Sequence, residues 1–226
     1  MNRSEGRIEQ DAWWRVGKYT IGALYQLLFR VRFTGLEHIP RAGAGLLASN
    51  HISVLDPIAV ALGATARGRT VRFLAAAEFF RRPLVGWWLR RIRQIPIRRG
   101  ERDLRALQHV ADVISRGALA GIFPEGGLSR TGDLRRGRRG AARIALMGSV
   151  PVIPMAVWGT RARWPQSGLR LARPLRPVVA VAVGPPIPAQ GDPSSGEDVL
   201  ALTERIMEGI AEQLVRARAM VASGAA

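Results

Sequence analysis

Short runs of continuously apolar residues alternate along this chain with segments of helical periodicity. These runs occupy residues 45–49, 71–76, 119–123, 152–157 and 178–183, with Ser49 and Arg72 as their polar members. Strands that are apolar at every position are buried on both faces, as in parallel sheets covered by helices. Helical patterns fall at residues 57–62, 78–91, 104–116, 140–147 and 198–221. The alternation predicts an α/β fold with a mostly parallel central sheet covered by helices. Residues 94–97 are expected at its edge, because Pro96 cannot donate to a central ladder.

The first 30 residues do not share the alternation of apolar runs and helical segments. We expect them to form a helical appendage to a single domain at residues 31–226. They show no cleaved secretion signal, and the uncharged run at 19–29 is too short for a spanning helix, which needs roughly 20 apolar residues. An amphipathic helix with aromatic and basic residues is typical of binding to a membrane interface. Alternatively, the apolar face packs on the protein's own core. Its members are Trp13, Trp14, Ile21, Leu24, Tyr25, Leu28 and Phe29.

The chain is strongly basic and contains no cysteine. It has 34 basic and 17 acidic residues, a formal net charge of +17. The missing cysteine excludes disulfide scaffolds, zinc fingers and thiol nucleophiles. The charge indicates an anionic partner: nucleic acid, a membrane surface, or a phosphorylated or CoA-like substrate. All basic residues but Lys18 are arginine, so a GC-rich genome is an alternative source of part of the charge. It does not explain the clustering at residues 81–105 and 128–143, which have net charges of +7 and +5.

A histidine and an aspartate follow the first apolar run, in the segment Asn50-His51-Ile-Ser-Val-Leu-Asp56. Open α/β sheets bind their ligands at the carboxyl ends of the strands. Asp56 there would hold one ring nitrogen of His51 as N–H and leave the other to accept a substrate proton. Alternatively, Asp56 only caps a helix that begins at Pro57, and His51 is an ordinary loop histidine.

A second segment, Phe123-Pro-Glu-Gly-Gly-Leu-Ser-Arg130, follows the third apolar run. Gly126 and Gly127 allow the backbone to approach a ligand closely. Backbone N–H groups next to arginine side chains suit a phosphate, although the segment alone also fits an ordinary turn. Two weaker signals are the pair Arg98 and Arg99, after residues 95–97, and the buried run 152–155.

Taken in order, these four segments resemble the glycerophospholipid acyltransferase family, specifically the 1-acylglycerol-3-phosphate acyltransferases. That family carries the motifs N-H-x-x-x-x-D, G-x-x-F/P-I/V-x-R, F-P-E-G-T-R-S and V-I/V-P-V/I. Here they stand at residues 50–56, 93–99, 123–129 and 152–155, and the resemblance spans roughly residues 30 to 185.

The resemblance implies a mechanism and a set of site residues. His51 would deprotonate the hydroxyl of a lysophospholipid acceptor, and Asp56 would orient it. The oxygen would then attack acyl-CoA or acyl-carrier protein directly, with no acyl-enzyme, cofactor or metal. The other expected substrate-binding residues are Asn50, Arg98, Arg99, Glu125, Gly126, Gly127 and Arg130, and Pro154 would support the pocket wall.

Departures from the family's motifs leave the acceptor open. Arg93 replaces the glycine of the second motif, and Gly127 and Leu128 stand where threonine and arginine are usual. Arg130 is expected to take over that arginine's role. The predicted product is phosphatidic acid, but another lysophospholipid, a glycolipid or an aminoacyl lipid remains an alternative acceptor. In the family, the region of residues 79–89 helps to line the slot for the acyl chain; alternatively, it belongs to the core.

The expected location is the cytoplasmic face of the cell membrane, with peripheral or monotopic attachment to its anionic surface. A non-enzymatic protein that binds nucleic acid or anionic membrane is a distant alternative. No helix-turn-helix, RNP or zinc-finger pattern supports nucleic-acid binding, so no nucleic-acid partner is expected.

Overall fold

A seven-stranded mixed sheet forms the centre of the computed structural model, which describes residues 12–97, 104–164, 168, 170 and 175–224. Its order is β1-β7-β6-β2-β5-β3-β4, and all neighbours are parallel except β6 and β7. The strands are β1 (Arg30–Thr34), β2 (Gly45–Ser49), β3 (Val71–Ala76), β4 (Ile95–Ile97), β5 (Leu119–Ile122), β6 (Val152–Trp158) and β7 (Val178–Val183). The predicted mostly parallel sheet is confirmed, and β4 lies at its edge as Pro96 indicated.

Helices cover both faces of the sheet, also as predicted. They are α1 (Ala12–Gly17), α2 (Ala23–Leu28), α3 (Asp56–Ala66), α4 (Ala77–Phe80), α5 (Pro83–Arg91), α6 (Leu104–Ser115), α7 (Gly140–Gly148) and α8 (Gly196–Ala222). One buried cluster joins residues of α2 and α3 to the sheet, and another joins α6, α7 and α8 to its opposite face. The two clusters hold the strand ends that carry the candidate site.

The segment before the sheet is a helix interrupted by a π-helical stretch, Lys18–Gly22, between α1 and α2. Tyr25 and Phe29 are only 3% and 1% exposed and belong to the core. The face expected to meet a membrane therefore packs partly on the protein itself. Other apolar residues of this segment, Val16, Tyr19 and Leu27, are exposed together with Leu24. None of the helices within the described residues is long and apolar enough to cross a membrane.

Two elements differ from the sequence-based prediction. Strand β1 was not predicted, because Arg30 and Arg32 alternate with Val31 and Phe33 and hide its apolar side. The helix predicted over residues 78–91 is divided into α4 and α5. Pro83 begins α5, as expected for a residue whose ring is tolerated in the first turn of a helix but disrupts the middle of one.

Candidate active site

The candidate site lies where two neighbouring parallel strands end. Strands β2 and β5 pair in parallel, with Ala48 opposite Ile122. Their carboxyl ends therefore meet at the same edge of the sheet, and His51 and Phe123 follow them. The two rings stack with their centroids 4.0 Å apart and their planes 18° apart. The structure thus brings the first and third sequence motifs together, as expected for ligand sites of open α/β sheets.

Asp56 is fully buried and holds the imidazole of His51. Its Oδ2 lies 3.1 Å from His51 Nδ1 and accepts the backbone N–H groups of Ile52 and Ser53 at 2.6 and 2.7 Å. A carboxylate only accepts hydrogen bonds, so it assigns the ring proton to Nδ1. Nε2 is then the basic nitrogen of a ring that borders a cavity.

A threonine from a distant part of the chain donates a further hydrogen bond to this carboxylate. Thr160 lies in the short 3₁₀ helix after β6, is fully buried, and donates its hydroxyl to Asp56 Oδ1 at 2.6 Å. Both oxygens of Asp56 are therefore fixed. The charge of Asp56 also reaches Tyr25 of α2. The pKa of Tyr25 is raised well above its usual value, mainly because the residue is buried and further because of the negative charge of Asp56.

Glu125 is bound to the backbone of the site. The residue is 2% exposed; its Oε1 accepts the N–H of His51 at 2.8 Å and its Oε2 that of Arg135 at 3.1 Å. Burial raises the pKa of the Glu125 carboxyl, and the two backbone donors oppose the rise. The carbonyl of His51 accepts the N–H of Ser129 at 2.7 Å. The third motif thus holds the histidine's peptide groups on both sides.

Asn50 joins the site to β6. Its Nδ2 donates to the carbonyl of Val157 at 3.0 Å, and its Oδ1 accepts the N–H of the same residue at 2.8 Å. The side chain is buried, so its contacts in this structure are with the protein. A substrate-binding role for Asn50 and Glu125 stays a prediction, whereas their hydrogen bonds show what positions His51.

A cavity of about 820 Å³ opens beside His51. Most of its wall is apolar and comes from α1, α3, β3 and α5. Residues of this apolar arm include Trp14, Ile58, Leu62, Phe73, Trp88 and Leu89. Phe79 also lines the cavity, whereas Leu84 is 84% exposed and Trp87 43%. The region 79–89 therefore contributes to the cavity wall and also to the outer surface.

Another part of the cavity wall, its basic end, is polar and positively charged. Gly126 and Gly127 line it, as do Arg138 and Arg139, just before α7, and Arg143 in the first turn of that helix. The basic cluster at residues 128–143 was visible in the sequence, but these three arginines were not among the predicted site residues. Because they follow Gly127 by 11 to 16 residues, only the return of the loop toward α7 brings them to the cavity.

The remaining predicted residues are not gathered at the cavity. Arg98 and Arg99 lie outside the described residues. Arg130 is exposed and does not line the cavity, and its carbonyl accepts a hydrogen bond from Arg161. Pro154 does not itself line the cavity; its ring faces α8, where a Cβ on Gly209 would meet it at 3.0 Å, and its support of the pocket wall stays a prediction. Among the described residues, no cluster of His, Asp or Glu could hold a metal ion.

Comparisons with known proteins agree with this arrangement. The family model described as Acyltransferase matches residues 30–158, more than half of the chain. A 1-acyl-sn-glycerol-3-phosphate acyltransferase of Bacillus subtilis is 27% identical over 185 residues, covering 80% of this chain and 87% of that protein. The lyso-ornithine lipid O-acyltransferase of Pseudomonas aeruginosa is 33% identical over 180 residues, covering 73% of this chain and 66% of the relative.

Two further matches are a longer plant protein and a solved structure. A chloroplastic 1-acyl-sn-glycerol-3-phosphate acyltransferase of Brassica napus is 28% identical over 135 residues, which cover 58% of this chain. The chain spans only 38% of the length of that plant relative. The crystal structure of the 1-acyl-sn-glycerophosphate acyltransferase from Thermotoga maritima superposes with a TM-score of 0.68 at 26% identity, covering 88% of this chain and 78% of the other.

Proposed function

Because the chain belongs to the acyltransferase family that it matches over residues 30–158, we propose that it transfers a fatty acyl group from an acyl thioester to a lysophospholipid. The preferred acceptor is 1-acylglycerol-3-phosphate, and the product is phosphatidic acid. The observation that carries the proposal is the position of His51 in the cavity wall, with Nδ1 held by Asp56 at 3.1 Å.

His51 acts as a general base in this reaction. Its Nε2 takes the proton of the acceptor's free hydroxyl as the oxygen attacks the thioester carbonyl. The buried Asp56 stabilises the imidazolium that forms. Collapse of the tetrahedral intermediate breaks the carbon–sulfur bond, and the proton passes from His51 to the departing thiolate. Attack is direct, so no residue of the chain is acylated.

The two ends of the cavity suit the two parts of such a substrate. The apolar arm, with Ile58, Leu62 and Trp88, takes an acyl chain and keeps water from it. The basic end takes a charged headgroup. A hydroxyl that lies between an acyl chain and a phosphate would then be positioned beside His51.

An aminoacyl lipid is the second candidate acceptor. Leu128 stands where arginine is usual in the third motif, which removes one expected phosphate contact. The Pseudomonas aeruginosa relative, named for activity on lyso-ornithine lipid, is more identical to this chain than the Bacillus subtilis relative, at 33% against 27%. Both acceptors require the same chemistry at His51.

Peripheral contact with the anionic cytoplasmic leaflet delivers these lipid substrates. Helix α1 lies against α5, since the rings of Trp13 and Trp87 have centroids 5.1 Å apart, and both helices carry exposed apolar side chains. Arginines precede α5 at positions 81 and 82 and occupy its last turn at positions 90 and 91. Basic residues near an anionic leaflet contribute about 1 kcal/mol each. The exposed side chains are Val16, Tyr19, Leu24, Leu27, Leu84, Val85 and Trp87.

Product identification tests the proposed function. The purified protein is incubated with a pool of acyl-CoA and acyl-carrier-protein donors and, separately, with lysophosphatidic acid, other lysophospholipids, a lysoglycolipid and lyso-ornithine lipid. Mass spectrometry should find phosphatidic acid as the main product. Acylation of lyso-ornithine lipid alone would support the second acceptor. The absence of any acylated lipid, in the presence of vesicles, would contradict the acyltransferase assignment.

A further inference from the structure

Three arginines line the basic end of the cavity. They are Arg138, Arg139 and Arg143. The first two residues are exposed and the third is half-buried. Within the described part of the chain, none of these three side chains donates a hydrogen bond to the protein or pairs with a carboxylate. Guanidinium groups without a partner in the protein keep their N–H donors available for a ligand. The planar guanidinium can donate two parallel hydrogen bonds to a phosphate.

Arg138 lies against the turn that holds His51. A Cβ on Gly126 would be 2.6 Å from Arg138 Nε, so this side chain packs against the turn. The φ of Gly126 is 70°, a backbone conformation that favours glycine. The backbone N–H of Arg138 donates to the carbonyl of Pro124 at 2.8 Å. Glu125, between these two residues, accepts the N–H of His51. The arginine is therefore joined to the turn that positions His51.

Arg139 is the N-cap of α7 and Arg143 lies in its first turn, where its backbone N–H donates to the carbonyl of Arg139 at 3.1 Å. Side chains four residues apart across such a turn lie on the same side of a helix. The other arginines of the segment are placed differently. Arg135 donates to the carbonyl of Leu128, and Arg130 does not line the cavity. Leu128 itself occupies the position of the third motif's usual arginine, so a positive charge is missing there.

We propose that Arg138, Arg139 and Arg143 bind the phosphomonoester of the acceptor. The proposal rests on the proposed function, because it assigns the acceptor's headgroup to one end of the same cavity. It makes these arginines the determinants of preference for a phosphorylated acceptor over an uncharged or zwitterionic one. The phosphates of a CoA donor carry the same chemistry, and the second experiment below separates the two sources.

The first experiment measures binding without turnover. Dodecyl phosphate and the uncharged 1-dodecylglycerol are titrated below their micelle concentrations, and binding is followed by the fluorescence of Trp14 and Trp88 in the cavity wall. Arg139→Gln and Arg143→Gln should each weaken dodecyl phosphate about ten-fold or more, and the triple glutamine variant at least a hundred-fold. Binding of 1-dodecylglycerol should stay within about two-fold of the wild type.

Arg136→Gln is the matched control, since Arg136 belongs to the same basic segment, is exposed, and does not line the cavity. It should leave the binding of dodecyl phosphate within about two-fold. An equal loss of dodecyl phosphate binding in Arg136→Gln would mean that the whole basic segment attracts phosphate without a defined site. Wild-type binding in the triple variant would mean that these three arginines do not bind the phosphate. Either result overturns the proposal.

The second experiment uses turnover to separate acceptor from donor phosphate. Lysophosphatidic acid is acylated from an acyl-CoA and from the phosphate-free N-acetylcysteamine thioester of the same acid. Arg143→Gln should raise the KM for lysophosphatidic acid with both donors and leave the KM for acyl-CoA unchanged. A rise confined to the KM for acyl-CoA would overturn the assignment. If the wild type acylates no lysophosphatidic acid, the proposed function fails, and the binding experiment still decides the phosphate site.

Discussion

The Nδ1 atom of His51 lies 3.1 Å from Oδ2 of Asp56, across the turn that joins β2 to α3. The same oxygen accepts the N–H groups of Ile52 and Ser53. One carboxylate therefore shapes the turn and orients the imidazole, so replacing Asp56 would disturb both. The orientation of the imidazole is therefore better tested by replacing a residue that hydrogen-bonds to Asp56 than by replacing Asp56 itself.

Thr160→Val removes a hydroxyl that donates to Asp56 Oδ1 at 2.6 Å and keeps the shape of the side chain. Because a hydrogen bond to a charged group contributes about 1.5–3 kcal/mol, we expect kcat to fall roughly ten-fold with little change in KM. Thr160→Ser should restore kcat, and the pH profile of kcat should shift in the valine variant alone. An unchanged kcat and pH profile in Thr160→Val would contradict this positioning role.

Glu125→Gln tests the balance between burial and hydrogen bonding at the buried carboxyl. Burial raises its pKa, so the folded chain holds that proton to a higher pH than the unfolded chain. The associated stability is present at low pH and is lost as pH rises through the folded-state pKa. The free energy of unfolding of the wild type, relative to Glu125→Gln, should therefore fall with rising pH above about 4.3.

Urea unfolding of the two proteins between pH 4 and pH 8 measures this difference directly. The glutamine variant is expected to be less stable overall, because its NH₂ group faces a backbone N–H. The informative quantity is the slope of the difference against pH. A slope of the opposite sign would mean that the donors from His51 and Arg135 outweigh burial.

The sheet was predictable because β2, β5, β6 and β7 are apolar throughout, which follows from burial on both faces. Strand β1 was missed because an exposed edge strand needs only one apolar side, and its arginines hid the alternation. The helical segment before β1 has apolar residues that pack on the core and others that face outward, and sequence periodicity did not separate the two groups. Tyr25 faces the core, and Leu24, next to it, faces outward.

The candidate site was predictable only in part. His51 and Asp56 are five residues apart, so a strand-to-turn pattern was enough to pair them. Thr160 lies 104 positions from Asp56, and a threonine after a strand carries no signal of its own. Arg143 was similarly hidden within a basic segment. The structure adds these long-range partners, because the strand order brings β2, β5 and β6 side by side.

The proposed acyl-chain site is tested by reducing its volume. Ala61 lines the apolar arm from α3, and Ala61→Phe should shift the preferred donor or acceptor to a shorter acyl chain. Ala66→Phe, at an exposed position of the same helix, is the matched control. Competition among acyl-CoA donors of increasing length gives the measurement. An unchanged preference in Ala61→Phe would place the chain elsewhere.

The proposed membrane surface is tested by replacing two outward leucines. Leu24 and Leu27 are 56% and 67% exposed, and burying each in lipid would contribute about 1.5–3 kcal/mol at most. The double glutamine variant should bind anionic phospholipid vesicles at least about ten-fold more weakly in co-sedimentation, with an unchanged Tm. Val215→Gln, 68% exposed on α8, should bind like the wild type. Equal binding by all three proteins would contradict contact through this segment.

General-base catalysis by His51 is the central claim, and the most direct measurement is the rate of acyl transfer to lysophosphatidic acid by purified His51→Ala. Unfolding curves of the variant and the wild type first establish that the fold is retained. Loss of a positioned base should lower kcat by roughly 10²–10⁴-fold, with vesicle binding unchanged. Turnover near the wild-type rate by the folded variant would contradict the mechanism.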